Sequence, residues 1–200
     1  SSTLNSDGTL TTRDLTLTAG TGSIVFTGAV GATASLEDLL IVSAANVTAI
    51  AITAETITQS AGTGTTTFNG ALNTTALGGI ALTGAAFTVN STVNTTTGGP
   101  VTITNSGLLT IAAAGDMTLD GAFTQNGAGL VSTAGDISTT NDAIAFATAV
   151  TLTGPVAMTT QTGGAGIGAI TFSSTLNSDG TLTTRDLTLT AGTGSIVFTG

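Results

Sequence analysis

Any chemistry in this chain has to come from carboxylates and hydroxyls, because histidine and cysteine are both absent. Without histidine there is no imidazole to serve as general base or metal ligand near neutral pH. Without cysteine there is no thiolate nucleophile, no disulfide framework and no zinc–thiolate site. The acidic residues offer three local groupings: Glu37 with Asp38, Asp116 with Asp120, and Asp136 with Asp142. Clustered carboxylates and carbonyls are what calcium takes as ligands. Neither a GGxGxDxU nonapeptide nor an EF-hand loop occurs, so these residues read as solvated corner side chains. The same pairs could act as acid and nucleophile, or acid and base, in glycoside hydrolysis. Sugar sites usually add an aromatic platform, and tryptophan and tyrosine are both absent. Phe26, Phe68, Phe87, Phe123, Phe146 and Phe172 are spaced like members of a core stack. The sequence assigns no catalytic residue, no metal ligand and no cofactor site, and the expectation is a protein that is not an enzyme.

The hydroxyls suggest a different chemistry. TxT pairs occur at Thr16/Thr18, Thr56/Thr58, Thr65/Thr67, Thr95/Thr97, Thr102/Thr104 and Thr151/Thr153. A regular outward rank of threonines would bind ice or a polysaccharide, but it needs one register in every coil. The intervals between these pairs are irregular, so the sequence favours threonine as a strand-forming, water-compatible filler on the outside. Asn46, Asn73, Asn90 and Asn94 each begin an Asn-x-Ser/Thr sequon, a pattern expected by chance in a chain so rich in both residues. Arg13 recurs as Arg185, and the sequence expects it to pair with Asp14 or with an acid on the next coil. The net charge of −9, with only 2 basic residues, excludes a nucleic-acid partner, whose phosphates need a basic surface. Mean hydropathy is +0.50, yet no apolar run is long enough for a membrane-spanning helix.

The elements that must position these groups come from repetition. Residues 173–200 reproduce residues 1–28 letter for letter, so position 173 restarts the pattern begun at position 1. The expected organisation is one tandem unit at 1–172, with 173–200 starting the next identical unit. A charge of −8 per unit follows, and the parent protein is expected to be longer than this window. Within the unit, apolar–threonine tetrads such as LTLT (15–18), SIVF (23–26), VTIT (101–104) and VTLT (150–153) alternate with Gly/Asn/Asp/Ser punctuators. Short alternating β-branched runs bounded by turn residues read as strands. The matching contexts AGTGSIVFTGA and AGTGTTTFNGA place Phe26 and Phe68 two coils apart, at about 21 residues per coil. The predicted fold is all-β, a right-handed parallel β-helix (β-solenoid) with about 21–22 residues per coil and about eight coils per unit. Asn69-Gly70, Asp120-Gly121 and Asn126-Gly127 are expected at its corners.

Phrases such as RDLTLTAGTGSIVFTGAVG (13–31), GGIALTGAAFTVNS (78–91) and GLLTIAAAGDMTLDGAF (107–123) resemble the large repetitive exoproteins of bacteria. The family is that of filamentous-haemagglutinin-like and related autotransporter passengers with β-helical shafts. The resemblance covers the whole chain as a compositional style and carries over no site residue. It implies secretion across a Gram-negative envelope, an extracellular or cell-surface location, and a structural role in a fibre, adhesin shaft or biofilm. The expected partners are neighbouring repeats of the same chain, with lateral self-association. The alternative is a threonine-faced solenoid binding ice or polysaccharide.

Overall fold

A strand whose alternate residues are apolar can bury one side and wet the other, and this chain repeats that arrangement every few residues. The computed structural model describes residues 3–7, 13–164, 166–181, 183 and 185–200. Over these residues the chain forms 23 β-strands and no helix, and every strand pairs in parallel with strands one turn away. The result is a parallel β-solenoid, as the spacing of the punctuators predicts.

The cross-section has three faces. Face one carries Leu72–Thr74, Val93–Thr95, Met117–Leu119, Ile137–Thr139, Val156–Thr159 and Leu187–Thr190. Face two carries Ile80–Gly84, Val101–Asn105, Phe123–Asn126, Ile144–Phe146, Ile170–Phe172 and Ile196–Phe198. Face three is a separate eight-stranded sheet running from Ile24–Val25 to Leu176–Ser178. Faces one and two belong to one 15-stranded sheet. They are joined because the long strand Ile52–Gln59 rounds the corner between them, pairing with Leu72–Thr74 at one end and Ile80–Gly84 at the other.

Register can be followed along face two from Leu15 through Leu39, Ile57, Ile80, Val101, Phe123, Ile144 and Ile170 to Ile196. Those eight steps average roughly 23 residues per turn, within the range of solenoid repeats. The shortest turn runs from Leu39 to Ile57, and the longest are the equal turns from Ile144 to Ile170 and from Ile170 to Ile196. Phe26 donates its N–H to the Thr48 carbonyl (2.8 Å), and Ala49 registers with Phe68. Two turns therefore separate the two phenylalanines, as their matching contexts predict.

The identical copies do not occupy the same place. Leu15–Thr18 lies on face two, against Leu39, whereas its copy Leu187–Thr190 lies on face one, against Val156. Ile24 lies on face three and its copy Ile196 on face two. Advancing from one copy to the next therefore takes the chain through seven turns and two further faces, not through eight whole turns. The shortfall comes from lengthened turns, the widest gaps between successive strands being those from Val25 to Leu36, from Thr159 to Ile170 and from Ser178 to Leu187.

Leu, Ile, Val and Phe from all three faces fill one continuous core, including Leu39, Ile57, Phe87, Leu109, Phe123, Ile144 and Phe172. Phe146 stacks on Phe172, and Phe172 on Phe198, at centroid separations of 5.3 Å, while Phe123 lies tilted against Phe146 at 5.2 Å. Phe26 is only half-buried against the same core. Corners are tight because consecutive turns lie one strand spacing apart. At Gly127 the backbone takes φ +89°, and a Cβ there would sit 2.2 Å from the Asn105 carbonyl oxygen. Only glycine fits such a corner.

Candidate functional site

Two of the three carboxylate groupings are separated by the fold, while Glu37 and Asp38 stay adjacent on the strand Leu36–Ser43. Met117–Leu119 lies between Asp116 and Asp120, and Ile137–Thr139 between Asp136 and Asp142, so each pair is split across face one. Four extended residues span about 13 Å. The acids that do become neighbours come from successive turns. An oxygen of Asp116 accepts the Asp136 N–H at 2.9 Å, and one of Asp136 accepts the Ala157 N–H at 2.7 Å. Asp120 accepts the Gly98 N–H at 2.8 Å. Asp14 accepts the Asp38 N–H at 3.3 Å, and Asp38 accepts the Thr56 hydroxyl. These side chains bind the backbone or a hydroxyl of an adjacent turn, which is a structural task. Among the described residues no three acids converge where a metal ion could be held.

The acids are also unevenly distributed around the cross-section. Asp14, Asp38, Glu55, Asp120 and Asp142 lie by the corner between faces one and two, while Asp116, Asp136 and Asp186 lie by the corner between faces three and one. Charge therefore runs down both edges of face one.

The threonines are more ordered than their sequence intervals suggest. On face three, Thr48, Thr67, Thr88, Thr110, Ser132 and Thr151 register directly with one another over six consecutive turns. Loops of variable length hide this column in the sequence, because register and not residue count brings the side chains into line. Thr67 and Thr151 belong to TxT pairs, but the other four residues come from outside the pairs. Conversely, the pair Thr95/Thr97 does not face outward together, since Thr95 is buried and Thr97 lies in a turn with φ 58°.

Threonine is not confined to the outside. Thr66, Thr74, Thr95, Thr133, Thr139 and Thr160 are buried. Several of them hold turn carbonyls: Thr133 donates to Gly135 at 3.3 Å, Thr160 to Gly168 at 3.0 Å, and Thr139 to Asp142. The fold also buries Gln59, Asn105 and Gln125, which the sequence reading left out. Gln125 Nε2 donates to Asn105 Oδ1 at 2.7 Å, and its Oε1 accepts from Thr148 N at 3.3 Å and Thr148 Oγ1 at 3.2 Å. Asn105 Nδ2 in turn donates to the carbonyls of Gly107 and Leu130. This amide cluster closes the corner between faces two and three. The signal that finds it is alternation, since Gln59 and Gln125 both fall on the inward phase of their strands.

The sequon asparagines serve as rungs between turns. Asn94 donates to Asn73 at 3.0 Å, Asn90 donates to Asn69 at 2.9 Å, and Asn46 accepts the Thr65 N–H at 2.9 Å. Arg13 pairs with Asp7 at 2.6 Å, and its copy Arg185 with Asp179 at 2.8 Å, so the partner is an acid six residues earlier and not Asp14. The hydrogen bonds from Arg185 hold the pKa of the Asp179 carboxyl down to about 2, opposed by partial desolvation and helped by Thr181.

No family model, no curated protein and no solved structure matches this chain.

Proposed function

We propose that this chain is a repeat of a secreted β-solenoid that forms an extracellular fibre or adhesin shaft of the filamentous-haemagglutinin-like type. The observation that carries this reading is the fate of the second copy. Strands Leu176–Ser178, Leu187–Thr190 and Ile196–Phe198 add one further turn to the same solenoid and extend its phenylalanine stack from Phe172 to Phe198. A repeat that stacks on its predecessor by the contacts used within the unit builds a continuous rod. In such solenoids stability accumulates turn by turn.

Electron microscopy of a chain carrying several copies of the unit tests this. Continuous thin rods lengthening by about 37 Å per repeat, from seven and two thirds turns at about 4.8 Å each, support the shaft. Beads on a string refute it. A second reading, a threonine-faced binder of ice or polysaccharide, is favoured by the aligned hydroxyl column of face three. Thermal hysteresis in dilute solution, or retention on an insoluble polysaccharide, is the result that reading requires.

A further inference from the structure

Residues 1–28 and 173–200 are one sequence placed twice, and the fold uses opposite edges of it. In the first copy Leu15–Thr18 pairs with Leu36–Ser43, and Ile24–Val25 with Val47–Ala49, both in the following turn. In the second copy Leu187–Thr190 pairs with Val156–Thr159, and Ile196–Phe198 with Ile170–Phe172, both in the preceding turn. Among the described residues neither of these copies has a strand on its other edge. Yet the local conformation is shared. Gly20 and Gly192 take φ of 60° and 56°, and Gly22 and Gly194 donate to the carbonyls of Ala19 and Ala191 at 2.9 and 2.7 Å. The arginine of each copy pairs with the aspartate six residues before it. One segment therefore has two competent edges, each shown by contacts in the fold. Leu187 and Leu189 of the second copy are only partly buried against the core, so this turn undocks more easily than an interior one.

We propose that copies of this chain exchange these segments: residues 1–28 of one copy dock on Val156–Thr159 and Ile170–Phe172 of another, in the place of its residues 173–200. Sequence identity fixes the occupant. The incoming segment brings every side chain the resident one uses, so Leu15 takes the register of Leu187 against Val156, and Ile24 that of Ile196 against Ile170. Phe26 takes the stacking position of Phe198 on Phe172. Its other edge stays paired with its own following turn, so the segment joins two bodies head to tail by main-chain ladders. The contact holds the same charges as before, because Asp7, Arg13 and Asp14 replace Asp179, Arg185 and Asp186. Two chains of net charge −9 still repel over their length, and salt screens that repulsion. Contacts are swapped like for like, which makes such exchange a low-cost route to association. Joining two molecules costs entropy, and the released 28 residues return part of it. This goes beyond the shaft reading, which concerns stacking within one chain, because exchange links separate chains.

The test uses the whole chain of 200 residues, which has no cysteine of its own. Ala157 and Thr188 are exposed and in register on adjacent strands. Cysteines at both positions of one chain should close a disulfide, since one strand spacing of about 4.8 Å lies within its range. Exchange puts Thr16 of a second copy where Thr188 stood. Chains carrying Ala157→Cys, mixed with chains carrying Thr16→Cys at high concentration and high salt, should therefore link on mild oxidation. Thr118→Cys, exposed elsewhere on face one, measures chance collision and should link far less. One substitution made in each copy then gives opposite results. Phe198→Ala in the Ala157→Cys chain weakens the resident turn and should raise the yield about fivefold, whereas Phe26→Ala in the Thr16→Cys chain should lower it by a similar factor. Circular dichroism checks that each variant folds. The proposal is overturned if the internal pair closes while Thr16→Cys links no better than Thr118→Cys, or if both phenylalanine variants shift the yield in the same direction.

Discussion

Replacing Gln125 by leucine keeps the side chain close to its present size and removes its polar end, and the structure allows the effect to be worked group by group. Two groups keep another partner. Gly129 O still accepts from Thr148 Oγ1 at 2.6 Å, and Ala147 N still donates to the backbone carbonyl of residue 125 at 3.2 Å. Asn105 Oδ1, Asn126 O and Thr148 N lose the Gln125 side chain as partner. Asn105 is fully buried, so water cannot replace the lost bond there. Each orphaned buried group costs about 1–3 kcal/mol. The added apolar burial returns up to about 2 kcal/mol. The expected net loss is about 2–4 kcal/mol, read from urea unfolding followed by far-UV circular dichroism, since the chain lacks tryptophan and tyrosine. Glutamate at this position sharpens the test. A buried carboxyl there has its pKa raised above the unfolded value, so Gln125→Glu should be weakest at neutral pH and recover as pH falls through that raised pKa. A leucine variant as stable as the parent, or a glutamate variant without this pH dependence, would refute the claim that the corner is held by a satisfied amide cluster.

Phe146→Ala should cost about 3–5 kcal/mol, and Phe198→Ala at the half-exposed end about 1 kcal/mol, with the same urea titrations separating them. Gly129→Ala places a Cβ 1.7 Å from the Gly107 carbonyl oxygen, so the turn must open. Faster amide exchange around 105–130 is the expected readout. Thr74 Oγ1 is buried without a hydrogen-bond partner, so Thr74→Val should be neutral or stabilising by about 1 kcal/mol in thermal melts. Asp179 has a folded pKa of about 2, below its unfolded value of 3.8. Its ion pair thus favours the folded state above pH 3.8, and that contribution disappears as pH falls toward 2. Carbon-13 titration should find Asp179 still ionised at pH 3, and Arg185→Gln should return it to the ordinary aspartate range.

The sequence made the parallel solenoid legible because its signals are local and repeated: alternating β-branched tetrads, corner glycines, and phenylalanines two turns apart. What it hid depends on register. The Asp116/Asp120 and Asp136/Asp142 groupings dissolved because a strand of face one runs between their members, and the hydroxyl column of face three emerged only once unequal loops were folded out of the way. Buried Gln125 and Asn105 were missed because amides in a threonine-rich chain look like surface residues by composition. Only their place on the inward phase of a strand distinguishes them.

The one-face offset between identical copies has a consequence for any array in which every repeat adopts this same winding. Each added repeat begins a third of a circuit behind its predecessor, so orientation is restored only after three repeats, about 110 Å along the axis on standard strand spacing. Such a rod behaves like a screw thread cut in three starts. Its column of face-three hydroxyls points in a different direction at each repeat. Gaining or losing one repeat by recombination would then do more than change length, because it would turn everything beyond the junction through a third of a circle.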